Sequence, residues 1–266
     1  MTKAPQADLT GWSCAPFIGG GYTHDVYRRG EGPGVVLIPE MPGLTPEVLG
    51  LGNHLVDNGF TVAAPSLYGT PGAAAVRPGM VPVLAKGCVA KEFAAFATNK
   101  KRPVADFLRA LARDLNASTP GKGVGVIGQC FSGGFALAAA VDDSVLAPVL
   151  SQPSLPLALT AAQKRDPGLS EEELQIIERR AADEGLCALG LRFSADRMAP
   201  GERFQTLKAR LGDAFEVIEI DSSRGNPGGF GPTAHSVLTL EVREEEGQQA
   251  YEARKRVVEF LKTRLG

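Results

Sequence analysis

A cysteine in a glycine-rich turn is the residue of this sequence best suited to covalent chemistry. Cys130 lies in Gly128-Gln-Cys-Phe-Ser-Gly-Gly134, between an apolar run, Val124 to Ile127, and a small-residue segment, Phe135 to Val141. Strand, sharp turn and helix in this order are the setting of a nucleophile elbow. We expect the sulfur to be exposed above the sheet at a helix N-terminus, where partial positive charge favours a thiolate. The alternative is a buried cysteine in an ordinary strand-to-helix turn.

Two further residues follow Cys130 in the order that a catalytic triad requires. Asp196 comes after a predicted strand, Ala188 to Phe193, and His235 lies in a Gly/Pro-rich loop after the last predicted strand. Nucleophile, acid and histidine in this order are typical of α/β-hydrolases, in which the carboxylate orients the imidazole. Taken singly, Asp196 could be a turn or cap residue and His235 an ordinary loop histidine. Together with Cys130 they predict a Cys-His-Asp triad.

An acidic residue follows the first long strand of the prediction. Gly34 to Ile38 is a continuous apolar run, and Glu40 comes two residues later in the rigid loop Pro39-Glu-Met-Pro-Gly43. A carboxylate in this place is costly unless it is paired or solvated. Ligands bind at the carboxyl ends of parallel strands. Glu40 is therefore either solvated in its loop or turned toward the active site.

The elements that must position these residues alternate between strands and helices. This alternation predicts one α/β domain over residues 1–266, with a mostly parallel central sheet and helices on both faces. Residues 1–30 are predicted to form an N-terminal extension with a hairpin that turns at Gly19-Gly-Gly21. Residues 157–185 read as a helical insertion whose capping box is Ser170-Glu-Glu-Glu173. The insertion is either a cap over the site or surface decoration.

Composition and charge exclude several classes of protein. The chain has 266 residues and a net charge of −2, so no basic surface predicts nucleic-acid binding. The sequence has no apolar run long enough to cross a membrane, and its first ten residues lack an apolar signal core. The cysteines at positions 14, 88, 130 and 187 and the three histidines show no metal-ligand spacing. We expect a cytoplasmic protein without metal or cofactor, and the oligomeric state stays open.

Several of these stretches together resemble the dienelactone hydrolase family of thiol-dependent α/β-hydrolases. The resemblance covers most of residues 30–265. The matching stretches are Ile38-Pro-Glu-Met-Pro-Gly43, Ala64-Pro-Ser-Leu-Tyr68, Gly128-Gln-Cys-Phe-Ser-Gly-Gly134, Ser194-Ala-Asp196 and Ala234-His-Ser236. A cysteine-centred elbow combined with a glutamate after the first long strand is fairly specific to this family.

The resemblance implies a role for each candidate residue. Cys130 would attack the carbonyl carbon of an ester or lactone. His235, oriented by Asp196, would act as general base and later activate water. Glu40 would interact with the thiol and help to deprotonate it when substrate binds. The chemistry of acyl transfer agrees with these roles, because a thiolate attacks readily and an acyl-enzyme divides the reaction into two easier steps.

The resemblance also implies an oxyanion hole and a substrate pocket. The backbone N–H groups of Met41 and Phe131 would stabilise the negative oxygen. Family members that cleave dienelactone hold its carboxylate with arginines, one of them four residues after the catalytic histidine, where this chain has Thr239. Lys91 and Tyr68 are the candidate substrate contacts, but lysine does not replace arginine in bidentate carboxylate binding. We therefore expect a small ester, lactone or thioester other than dienelactone as substrate.

Two other function classes remain open. The chain could be a non-catalytic or redox-sensing protein in which Cys130 responds to oxidants. It could also be a thiol acyltransferase or peptidase, because fold and triad do not determine the acyl acceptor. Steady ester turnover separates an enzyme from a sensor. Product analysis with added alcohol or amine separates hydrolysis from transfer.

Overall fold

The computed structural model describes residues 3–74 and 103–266, and eight strands in these ranges form one sheet. Their order across the sheet is β1-β2-β4-β3-β5-β6-β7-β8. The strands are β1 (Ser13–Gly19), β2 (Tyr22–Arg29), β3 (Gly34–Ile38), β4 (Thr61–Pro65), β5 (Val124–Gln129), β6 (Val145–Ser151), β7 (Ala188–Phe193) and β8 (Phe215–Ile220). The central strands β3, β5, β6 and β7 follow one another in space, so the loops after them open at the same edge.

Most of the sheet is parallel, as the sequence predicts. Every pair from β4 across to β8 is parallel, whereas β2 pairs antiparallel with both β1 and β4. The predicted N-terminal hairpin is present, and its turn places Gly20 at φ 56° and Gly21 at φ 83°. Only glycine adopts these values without strain, so the glycines determine where the chain reverses.

Helices cover both faces of the sheet and enclose two apolar cores. The helices are α1 (Pro46–Asp57), α2 (Pro103–Ser118), α3 (Phe135–Ala139), α4 (Ala161–Arg165), α5 (Glu171–Asp183), α6 (Gly201–Leu211) and α7 (Gln249–Leu265). One core packs against α2, α3, α5 and α6, and the other against α1 and α7. The sequence predicts a last helix from about Glu245 to Leu265. The helix starts four residues later, at Gln249, because a turn-rich stretch precedes its N-cap, Gln248.

The insertion at 157–185 contains α4 and α5 and is anchored to the body of the protein. The predicted capping box is present, since the Ser170 hydroxyl accepts from Glu173 N–H at 3.2 Å. Arg180 of α5 is buried and donates to the carbonyls of Ala140 (2.6 Å) and Val145 (3.1 Å). These bonds fasten α5 to the connection between α3 and β6.

Some predictions fall on the stretch between the two described ranges. Lys91 lies outside the described residues. The sequence also predicts a Gly/Pro-rich loop over 69–88 and a short helix over 91–97, and most of this loop and all of this helix lie outside them as well. Within the described ranges, no helix combines the length and the apolar character needed to cross a lipid bilayer.

Candidate active site

The turn after β5 holds Cys130 in a strained backbone conformation. Cys130 has φ 52°, a value that residues other than glycine rarely adopt, and it begins a short 3₁₀ turn, Cys130–Ser132. The Ser132 hydroxyl accepts from Gln129 N–H at 3.0 Å and lies 3.0 Å from the carbonyl oxygen of Pro39. These contacts tie the turn to the loop after β3. Such strain persists only where the surrounding structure holds it, and it clusters at functional sites.

Two glycines allow the chain to turn this sharply. A β-carbon at position 128 would lie 2.3 Å from the carbonyl oxygen of Ser132. A β-carbon at position 133 would lie 2.6 Å from the α-carbon of Pro153 in the loop after β6. Both distances are far below van der Waals contact with rigid backbone. Glycine is therefore required at Gly128 and Gly133 by close packing rather than by a positive φ.

This packing gives a prediction about stability. Gly133→Ala is expected to lower the free energy of unfolding by about 1 to 3 kcal/mol, because the added methyl group must displace the Pro153 backbone. Urea unfolding measures the change. Gly231→Ala is the matched control, since a β-carbon there meets no atom within 4 Å, and it should change stability by less than about 0.5 kcal/mol. Equal stability of the two variants would contradict the packing argument.

The loops after β7 and β8 bring Asp196 and His235 together. His235 Nδ1 lies 2.7 Å from Asp196 Oδ2, and because a carboxylate only accepts, the ring nitrogen donates. The second oxygen, Oδ1, accepts from Met198 N–H at 2.9 Å. Arg192, buried on β7, donates to the carbonyl of Ala199 at 2.9 Å and braces the same loop. The carboxylate is thereby fixed at both oxygens.

The other ring nitrogen of His235 faces Cys130. Burial lowers the pKa of His235, but hydrogen bonds to Asp196 and Cys130 and the charges of both groups raise it to about 10. These interactions favour the protonated imidazole. Nε2 also lies 3.4 Å from the Ser154 hydroxyl in the loop after β6. The three residues predicted as a triad thus meet at one point, at the carboxyl ends of β5, β7 and β8.

The exposure predicted for Cys130 is wrong. The relative exposure of Cys130 is only 6%. The helix that follows, Phe135–Ala139, is short, and it begins five residues after Cys130 rather than directly at it. The backbone explains the burial. The Cys130 carbonyl accepts from Ser154 N–H at 2.9 Å, so the loop after β6 lies over the turn.

Glu40 is buried and turned toward the loop that carries His235. Its Oε2 accepts from the hydroxyl of Ser236 (2.7 Å) and from the amide of Gln152 (3.3 Å), and Thr239 donates to Oε1. Burial raises the pKa of Glu40, although these hydrogen bonds oppose the rise. Among the described residues, the carboxylate makes no hydrogen bond to Cys130. Of the two interpretations of Glu40, solvated in its loop or turned toward the active site, the structure agrees with the second. Its hydrogen bonds support the loop that carries His235.

A comparison with family models identifies the group to which this architecture belongs. The model of the dienelactone hydrolase family matches residues 22–265. The chain belongs to the dienelactone hydrolase family. The match includes the elbow, both triad loops and Glu40, and leaves out only the N-terminal residues that precede β2 and the last residue. A search of curated proteins finds no match.

Solved structures place this dienelactone hydrolase family member in the α/β-hydrolase fold. A Klebsiella pneumoniae protein assigned as a dienelactone hydrolase superposes with a TM-score of 0.63 at 17% identity, over 94% of this chain and 98% of that one. A dienelactone hydrolase-like promiscuous phosphotriesterase from metagenomic libraries gives 0.61 at 16% identity, over 96% and 98%. A cold-adapted esterase from an Arctic intertidal metagenomic library gives 0.59 at 12%, over 95% and 93%. At these identities the likeness concerns the fold.

The remaining predicted site residues of this family member differ in what surrounds them. Tyr68 is half-buried and donates its hydroxyl to the Pro39 carbonyl, and burial, with the nearby Cys130 and Glu40, raises its pKa well above the usual value. Met41 and Phe131 follow Glu40 and Cys130 directly, on the two loops that Ser132 joins. Their N–H groups as an oxyanion hole stay a prediction.

Two residues of the loop after β6 are part of the site although no motif singles them out. Gln152 is fully buried at φ 36°, and its side-chain oxygen accepts from Val237 N–H at 3.3 Å while its amide donates to Glu40. Ser154 contacts His235. The available signal was their position at the carboxyl end of a buried strand, where ligands and catalytic groups collect.

A cleft of about 410 Å³ lies beside Asp196. Ala158 and Lys164 of the insertion line it together with Asp196 and Arg197. The insertion therefore reaches the neighbourhood of the candidate site, while its longer helix packs on the body of the protein. The insertion therefore agrees in part with each interpretation, since one part of it borders the site as a cap would and the rest packs on the surface.

Proposed function

We propose that this protein hydrolyses a carboxylic ester or lactone through an acyl-enzyme on Cys130. The observation that carries the proposal is the position of His235, which is hydrogen-bonded to Asp196 through Nδ1 and lies close enough to Cys130 for that residue to raise the pKa of the imidazole. A protonated imidazole next to a cysteine stabilises a thiolate and can donate its proton to a leaving group. Membership of a family of hydrolases supports the same reaction class.

The first half of the proposed reaction forms the acyl-enzyme. The Cys130 sulfur attacks the carbonyl carbon, and the N–H groups of Met41 and Phe131 stabilise the negative oxygen that results. Collapse of this intermediate breaks the bond to the leaving alkoxide, which takes the proton from His235 Nε2. Asp196 keeps the ring in the orientation that this transfer needs. Fixed donors of this kind commonly supply about 3 kcal/mol each.

The second half releases the acid. Neutral His235 takes a proton from a water molecule, whose oxygen attacks the thioester carbonyl carbon. The proton on His235 is available again once the bond from carbon to sulfur breaks, the carboxylic acid leaves and the Cys130 sulfur is released. No metal or organic cofactor takes part in these steps.

Glu40 is proposed to hold the histidine loop in place and to disfavour anionic substrates. Its buried carboxylate accepts from hydroxyl and amide donors of Ser236, Thr239 and Gln152, and within residues 3–74 and 103–266 it makes no ion pair with a lysine or arginine. A substrate carboxylate near these groups would meet a second carboxyl group, and four residues after His235 it would find Thr239 instead of an arginine. The preferred substrate is therefore a neutral ester or lactone, and not a carboxylate-bearing dienelactone. Contact of Glu40 with the thiol would require its rearrangement when substrate binds.

Turnover of a small panel of neutral and anionic esters, lactones and thioesters at neutral pH tests the reaction class. Rapid acid quenching followed by mass spectrometry should find the acyl mass on the peptide that contains Cys130. Acyl mass on another residue, or no turnover by the folded protein, would contradict the proposal. Ester or amide products in the presence of added alcohol or amine would identify an acyltransferase instead.

A further inference from the structure

Ser154 occupies a place beside the reacting groups that neither the family resemblance nor the proposed mechanism uses. Its side chain is 2% exposed, and its hydroxyl oxygen lies 3.4 Å from His235 Nε2. This is the nitrogen on the Cys130 side of the ring. The hydroxyl also donates to the carbonyl of Gln152 at 3.0 Å. Ser154 thus contacts the atom through which a proton must pass.

The hydrogen-bonding capacity of a hydroxyl determines what this contact can be. A serine has one proton, and in the structure Ser154 gives it to the Gln152 carbonyl, so it faces Nε2 as an acceptor. This arrangement suits an imidazolium, whose Nε2 carries a proton. In the neutral ring the lone pair of Nε2 must stay free for the proton of the attacking water, and the Ser154 oxygen accepts from Nε2–H as that proton arrives. A sulfur that carries an acyl group cannot take this place.

The backbone on both sides of Ser154 is fixed. Its N–H donates to the Cys130 carbonyl at 2.9 Å, so its position follows that of the nucleophile. Arg203, fully buried on α6, donates to the carbonyls of Pro153 (2.5 Å) and Pro156 (2.6 Å). A side chain held by rigid neighbours on both sides keeps its geometry through a reaction cycle.

We propose that Ser154 is a positioning residue that holds His235 Nε2 in line with the scissile bond while the Cys130 sulfur carries the acyl group. In the resting protein the imidazole also interacts with Cys130, and the contact from Nε2 to Ser154 is long. Once the sulfur is part of a thioester it is a poor acceptor, and Ser154 remains as the fixed partner of the ring. The inference rests on the proposed acyl-enzyme reaction.

Other charged groups near the ring set the background for a pH test. Asp196 and Cys130 raise the pKa of His235, and Glu40 and Glu241 lie close enough to feel its charge. A hydroxyl that accepts from the imidazolium also raises the pKa of His235, because a hydrogen bond to the charged form favours that form. Removing that hydroxyl should therefore lower the pKa of His235.

The test compares wild type with Ser154→Ala and Ser154→Thr. In pre-steady-state ester hydrolysis, Ser154→Ala should reduce deacylation about tenfold, the size expected for one hydrogen bond to a charged group, and leave the acylation burst within about twofold. The His235 titration, followed by NMR of the imidazole ring, should move to lower pH in Ser154→Ala. Ser154→Thr retains the hydroxyl and should restore both readouts toward wild type.

The outcomes separate this inference from the proposed function. If wild type turns over no ester, the proposed function fails, but the NMR titration still reports whether Ser154 binds the imidazolium. Unchanged deacylation together with an unchanged His235 titration in Ser154→Ala would overturn the inference. Equal loss in Ser154→Ala and Ser154→Thr, with lower thermal stability in both, would show a role in packing only and would overturn it as well.

Discussion

Replacing Cys130 with alanine is expected to reduce ester turnover by at least about 1,000-fold, because the proposed reaction has no other nucleophile. The fold should survive, since alanine fits where the cysteine side chain is already buried. Initial rates with a neutral activated ester measure the loss, and circular dichroism checks the fold. The acyl-enzyme mass should disappear in the same variant.

Two further cysteines provide matched controls for this variant. Cys14 is exposed on β1 and Cys187 is half-buried, directly before β7, and neither lies at the carboxyl ends of the strands. Cys14→Ala and Cys187→Ala should keep turnover within about twofold of wild type, because neither contacts the candidate triad. Wild-type turnover by Cys130→Ala would remove Cys130 as nucleophile and favour the sensing hypothesis.

Asp196→Asn is expected to lower kcat/KM by about 100- to 10,000-fold, the range that acid–base catalysis contributes. The amide cannot stabilise the imidazolium as a carboxylate does, so the pKa of His235 should fall from its value of about 10. In wild type the high-pH limb of kcat/KM, which reports loss of the imidazolium proton, should lie near pH 10. In the variant this limb should move to lower pH.

The pH profile distinguishes this role from general damage to the site. Asp213→Asn is a suitable control, because its side chain is fully exposed in the turn before β8, and it should leave rate and profile unchanged. A rate loss in Asp196→Asn without any shift of the high-pH limb would mean that the carboxylate acts only in packing its loop, through the bond from Met198 N–H.

Much of the fold could be predicted because its signals are local. Strands β3, β5 and β7 are buried along their whole length. Each can therefore be predicted from its own apolar residues, without knowledge of the strands that it pairs with. The hairpin turn follows from consecutive glycines, and the start of α5 from its capping box. The start of the last helix was misplaced, because acidic residues near 245 resemble a first helical turn and only the tertiary structure shows the N-cap at Gln248.

The candidate site could be predicted only as far as chain order allows. Cys130, Asp196 and His235 were found because each follows a recognisable strand in the order of a known triad. The burial of Cys130 was not predictable, since it depends on the distant loop after β6. Gln152 and Ser154 were missed for the same reason, because short polar residues after a strand look like any turn until their partners are known.

The hydrogen bonds of Glu40 have a consequence for how activity arises during synthesis. They join residues separated by 112, 196 and 199 positions along the chain. Contacts between such distant segments carry a large loop-closure cost and tend to form late in folding. A nascent chain whose β8 and following loop are still inside the ribosome could form the turn at Cys130 but would lack His235 beside it. Recovery of ester turnover during refolding should therefore lag behind the return of helical structure, and activity would report the completed fold rather than its early parts.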